Sequence, residues 1–137
     1  MFRMLLRTAA AVLTTAALLL GGLTAPAAAG NSDLGRLWAK DKVLKRGCHD
    51  YRYQYRVKPE TRHWSLETFL RDPSGEVIAS NAFENATNKR RGSSTFRFCR
   101  WNTEPGRFKI RGKLTQYDGY DQTVGWVKPG WFRMRLA

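Results

Sequence analysis

The side chains with the clearest capacity for chemistry are cations at two-residue spacing. Arg107, Lys109, Arg111 and Lys113 alternate with Phe108, Ile110, Gly112 and Leu114. Arg133 and Arg135 alternate with Phe132, Met134 and Leu136. Successive side chains of an extended strand point to opposite faces, so each set is a row of charge above a row of core. Rows of this kind attract anionic polymers by counterion release or by screened Coulomb attraction. The same cations have a plainer use, since charge on a sheet keeps a chain soluble and discourages edge-to-edge association. A further basic run, Lys89-Arg90-Arg91, stands apart in a polar stretch.

Other chemistry has thinner support. The two histidines are His49, between Cys48 and Asp50, and His63, before Trp64. A hydrolytic site needs a nucleophile, a histidine and an acid converging, and no Gly-x-Ser-x-Gly or His-Glu-x-x-His occurs. His49 and Asp50 are chain neighbours, so on a strand they face opposite ways. Glycoside hydrolysis needs two carboxylates across a cleft. Glu67, Asp72, Glu76 and Glu84 cluster around one expected hairpin, where a solvated rim accounts for them. Asp118 and Asp121 flank a turn but lack the acid count of a calcium loop. Cys48, His49, His63 and Cys99 lack zinc-site spacing. The expectation is a chain with no catalytic residue, metal or cofactor.

The compartment is legible at the start of the chain. Arg3 and Arg7 precede an uncharged run from Thr8 to about Leu23, followed by Ala27-Ala28-Ala29. A charged start, a short apolar core and small residues at a cleavage point form an export signal. The apolar run is shorter than the roughly 20 residues of a membrane span. The expected organisation is a signal peptide over 1–29 and one domain over 30–137, acting extracellularly. Residues 1–29 hold two of the 24 Lys and Arg and none of the 11 acids, so cleavage lowers the net charge only from +13 to +11. Two cysteines in a small exported chain are expected to pair as a structural disulfide, Cys48 with Cys99.

The elements that must position these residues are strands. Tyr51, Tyr53, Tyr55 and Val57 alternate with Arg52, Gln54, Arg56 and Lys58. Trp64, Leu66, Thr68 and Leu70 alternate with Ser65, Glu67 and Phe69. Asp72-Pro73-Ser74-Gly75 predicts a type I turn, returning over Glu76 to Ser80. Residues 81–92 read as an exposed loop. Ser93 to Arg100 is a strand with Phe96 and Phe98 inward, and Pro105-Gly106 marks a turn. Asp118-Gly119 predicts a hairpin tip. The last strand spans about 122–136, interrupted at Pro129-Gly130 in the manner of a bulged edge strand. Residues 33–45 alternate weakly, with Trp38, Val43 and Leu44 as anchors for an opening strand. About seven short strands without a long helix predict an all-β antiparallel sandwich.

Cys48 opening one strand, Trp64 on the next, and Pro105-Gly106-x-Phe108-x-Ile110-x-Gly112 leading a later one resemble an immunoglobulin-like sandwich. The block Trp64-Ser-Leu-Glu-Thr-Phe-Leu-x-Asp-Pro-x-Gly75 and the Ala-rich signal resemble small secreted β-sandwich proteins of the actinobacterial type. The resemblance covers roughly residues 40–137 and implies fold and location rather than chemistry. It implies that Cys48 starts and Cys99 ends neighbouring antiparallel strands, giving a staple within one sheet instead of a bridge between sheets. It also implies that the two cation-bearing strands are adjacent, so that all six cations share one face, with Trp131 at its edge.

The expected function is that of a secreted non-enzymatic domain. Its partners would be anionic polysaccharide, teichoic acid or another cell-surface polyanion, held by Arg107, Lys109, Arg111, Lys113, Arg133 and Arg135. The alternative is a protein-recognition module, an adhesin or inhibitor, using loops 81–92 and 101–105. Trp101, Tyr117, Tyr120, Trp126 and Trp131 have rings that can stack on sugars or bases. Of these, Tyr120 and Trp131 are the expected exposed ones.

Overall fold

Alternating apolar and polar residues become nine strands over residues 30–137, the part of the chain that the computed structural model describes. The export signal read over 1–29 lies outside the described residues. The strands are β1 (Asn31–Trp38), β2 (Lys42–Leu44), β3 (Cys48–Val57), β4 (His63–Arg71), β5 (Val77–Glu84), β6 (Arg91–Cys99), β7 (Gly106–Asp118), β8 (Asp121–Lys128) and β9 (Gly130–Leu136). A short 3-10 turn at Arg100–Asn102 joins β6 to β7. The protein is all-β, as its alternation predicts.

Two layers enclose the core. One holds β1, β3 and β6, and the other holds β5, β4, β7, β9 and β2. β8 crosses between them: its first six residues pair with β7, and its last two pair with β1. Most pairings are antiparallel, but β1 with β8 and β2 with β9 are parallel. Between Trp38 and Lys42 the chain passes from the layer of β1 to that of β2, and between Lys128 and Gly130 it passes from β8 into β9.

Three local expectations are corrected. Residues 33–45 form two strands anchored by Leu37 and Leu44, while Val43 is 45% exposed beside Arg135. β5 continues to Glu84 with Phe83 buried, and β6 starts at Arg91, which leaves a shorter loop than 81–92. The 122–136 segment is two strands, neither at an edge, since β1 flanks β8 and β2 flanks β9. Pro129 has no N–H to give to a ladder, and the chain switches neighbours around it.

Aromatic stacks join the layers. Tyr51 lies on Phe98 at 4.4 Å between ring centroids, Phe98 on Phe108 at 5.9 Å, and Phe108 on Phe132 at 5.5 Å. Nearby, the Tyr53 hydroxyl meets Thr68 Oγ1 at 2.7 Å, and Asn81 Nδ2 donates to it at 3.3 Å. Burial pushes the Tyr53 phenol above its ordinary value. At one end of the β3–β6 ladder, Cys48 and Cys99 are register partners and are disulfide-bonded. The bridge is therefore a staple between adjacent strand ends of one layer, on the outward parity of both strands.

Asp72 fixes the approach to β7. Its Oδ1 accepts from Ser74 N at 3.0 Å, Ser74 Oγ at 2.6 Å and Glu76 N at 3.1 Å, and its Oδ2 accepts from Thr103 Oγ1 at 3.0 Å. Gly75 N donates to the Asp72 carbonyl at 2.9 Å, closing the turn that Pro73 and Gly75 predict. Burial pushes the Asp72 carboxyl up, but these hydrogen bonds outweigh it and hold the group below its ordinary 3.8. A depressed folded value means stability that is present above 3.8 and is lost as pH falls through the lower folded value. Asp72→Ala is expected to cost about 2 kcal/mol near neutral pH, in line with bonds to a charged acceptor. In thermal unfolding the gap from wild type should close in acid below 3.8.

Candidate anion-binding face

Register places all six cations on one outer face. Arg107 is opposite Arg133 in the β7–β9 ladder, and Lys109 is opposite Trp131. Arg111 and Lys113 continue the same parity along β7, and Arg135 continues it along β9. Their alternates Phe108, Ile110, Leu114, Phe132 and Met134 are all buried, so the face cannot turn over without exposing the core.

Aromatic rings hold several of the cations in place. The Arg107 guanidinium lies 4.2 Å from the Trp131 ring centroid, and Lys109 Nζ lies 4.8 Å from it. Trp131 thus stands among the cations, opposite Lys109, and not merely at their edge. The Arg111 guanidinium lies 4.0 Å from the Trp126 centroid, and the Phe69 ring lies tilted at 6.3 Å from the same indole. A cation over an indole face gains electrostatic attraction and loses conformational freedom before any ligand arrives.

Carboxylates meet only part of the charge. Glu67 pairs with Lys113 from the register-opposed position on β4. Asp41 Oδ2 lies 3.8 Å from Arg135, and Asp41 Oδ1 accepts the Arg133 backbone N–H at 2.8 Å. Among the described residues, no carboxylate forms an ion pair with the side chains of Arg107, Lys109, Arg111 or Arg133. Sequence reasoning missed Arg71, which lies opposite Lys109 from β4 and donates to the Gly75 carbonyl at 2.7 Å. Its alternation with Leu70 was the available signal.

The remaining chemical groups are placed elsewhere. His49 Nε2 lies 2.6 Å from the Arg46 carbonyl, and exposed His63 pairs in register with Tyr117. Asp118 and Asp121 oppose each other across the β7–β8 tip, where Gly119 takes φ +61°. Tyr120 at that tip is fully exposed, and Trp131 is 45% exposed. Trp101 is 72% exposed and was not singled out as a surface residue. It borders a concavity of about 390 Å³ with Arg46, Gly47 and Arg100. Among the described residues, no group of three or more His, Cys, Asp and Glu is arranged to hold a metal ion. No described helix is long and apolar enough to cross a membrane. No family model matches the chain, and no curated protein matches it significantly.

Proposed function

We propose that this domain is a secreted, non-enzymatic binder of linear anionic polymers, such as acidic polysaccharide or teichoic acid, through the β7–β9 face. The observation that carries it is the set of Arg107, Lys109, Arg111 and Arg133 on one face, without paired carboxylates among the described residues, three of them held against Trp131 or Trp126. The disulfide supports an oxidising, non-cytoplasmic compartment. There the available polyanions are wall and surface polymers. A row of cations along one sheet face suits a repeating charge along a polymer better than a single small anion.

The test is retention on immobilised heparin and on purified teichoic acid as salt is raised. The wild type should elute at moderate salt, since a Debye length of about 10 Å at 0.1 M screens exposed charges progressively. The log–log slope of affinity against salt should be about −3, at roughly 0.7 for each of the four unpaired cations on a flexible polyanion. R107Q/K109Q/R111Q should lower that slope to about −1 with Tm almost unchanged. Elution of the wild type at the lowest salt, or a variant that binds like wild type, would refute the assignment.

A second function has a specific observation behind it. The exposed Trp101 and its concavity give the 101–105 loop an aromatic anchor of the kind that dominates protein interfaces. A partner captured from culture medium independently of salt, and lost in W101A, would favour protein recognition.

A further inference from the structure

A second group of cations lies on the opposite layer. Arg36, Arg56 and Arg91 are consecutive register partners across β1, β3 and β6. Like charges directly opposed on neighbouring strands destabilise a sheet, so folding alone disfavours this row. Among the described residues none of the three forms an ion pair, and Asp50 meets Arg97 at the other end of the β3–β6 ladder. Arg36 is turned onto Trp38, its guanidinium 4.9 Å from the ring centroid. Arg56 and Arg91 instead line a concavity of about 410 Å³, together with Val57, Lys58, Pro59 and Arg90.

The walls of this concavity are fixed by backbone contacts. Val57 N donates to the Arg90 carbonyl at 2.8 Å, and Lys58 N donates to the Leu34 carbonyl at 2.8 Å. The Tyr55 hydroxyl donates to the Lys89 carbonyl at 3.2 Å. Gly35, at φ +134°, lets β1 come close beneath: a Cβ there would lie 2.2 Å from the Arg56 carbonyl oxygen. The loop carrying Lys89 and Arg90 is thereby tied to β3 before any ligand binds.

We propose that the concavity binds a compact ligand with two or more adjacent phosphate groups. Among the described residues, four cations line it and no carboxylate does. Guanidinium forks match phosphate oxygens in pairs, and the lysine adds a point charge. A single carboxylate would leave most of this charge unbalanced. Val57 and Pro59, both buried, complete the lining between the exposed cations. The site is separate from the β7–β9 face and is a concavity, not a flat row.

Thermal unfolding and titration calorimetry of the disulfide-bonded protein test this, with inorganic pyrophosphate, tripolyphosphate, a nucleoside diphosphate and sulphate at matched ionic strength. Pyrophosphate and tripolyphosphate should raise Tm saturably, and sulphate should not. R56Q/R91Q should weaken binding at least about tenfold, yet melt no lower than wild type without ligand, because a repulsion is relieved. K58Q/R90Q, on exposed side chains, should weaken binding similarly and serves if the first variant does not fold. R107Q/K109Q/R111Q should respond to pyrophosphate like wild type, which separates this site from the polymer face. Binding of the nucleoside diphosphate would identify a pyrophosphate ester as the ligand, and binding of the inorganic anions alone would identify a free polyphosphate. Equal responses to sulphate and pyrophosphate, or unchanged binding by both variants, would overturn the proposal.

Discussion

Phe108→Ala is expected to destabilise the protein by about 4 kcal/mol, within the range for truncating a buried phenylalanine. Phe108 is 0% exposed and lies between Phe98 of one layer and Phe132 of the other. Truncation removes apolar contact and leaves a void that β-strands fixed by their ladders close only in part. Against a total stability of about 5–15 kcal/mol, this is a large fraction. Denaturant titration measures it as a lower midpoint at nearly constant slope. The loss should reach the surface as well, since Phe108 sits between Arg107 and Lys109 and holds their strand in register. A cost under about 1 kcal/mol would mean that the stacks are dispensable to the core.

Removal of the disulfide should have an effect of similar size. The bridge closes a loop with a sequence separation of 51 residues. Chain-entropy reasoning assigns such a closure about 4 kcal/mol, gained by restricting the unfolded state. For a domain of this size that corresponds to a Tm lower by roughly 15–20 °C in C48A/C99A or under reductant. The folded form should keep its β-sheet spectrum, because Cys48 and Cys99 only end a ladder whose other pairs, from His49–Phe98 to Arg56–Arg91, remain. A Tm drop below about 5 °C would show that the unfolded chain is already constrained without the bridge.

The sequence announced the two-residue rhythm better than the neighbours it creates. Tyr51, Tyr53 and Tyr55 on β3 and Phe108 and Ile110 on β7 declare their buried side because each alternates with charge. The turns at Asp72 and Gly119 were legible because their chemistry is local: an i to i+3 bond in one and a positive φ in the other. The staple within one layer was implied by the resemblance, which sets the two strand ends side by side, and the outward parity of Cys48 and Cys99 agrees with it. The split of 33–45 into two strands was not legible, because Ala39-Lys40-Asp41 holds no Gly or Pro, and a lone Asp among charged residues does not announce a change of layer. Trp126 beside Arg111 depends on the β7–β8 register, which sets Trp126 opposite Lys113. Arg36 and Arg91 meet Arg56 from positions 20 and 35 residues away in the chain. No local pattern records that meeting, which is why the arginine row was missed while the outward parity of Arg56 was plain.

The parallel pairing of β1 with β8 and β2 with β9 has a mechanical consequence. A pull on Asn31 in one direction and on Leu136 in the other slides these strands lengthwise past each other. Their hydrogen bonds then bear load together instead of parting one by one. The Cys48–Cys99 covalent link also prevents the loop between them from paying out under tension. The domain should therefore resist stretching between Asn31 and Leu136 more strongly than a sheet whose terminal strands unzip pair by pair.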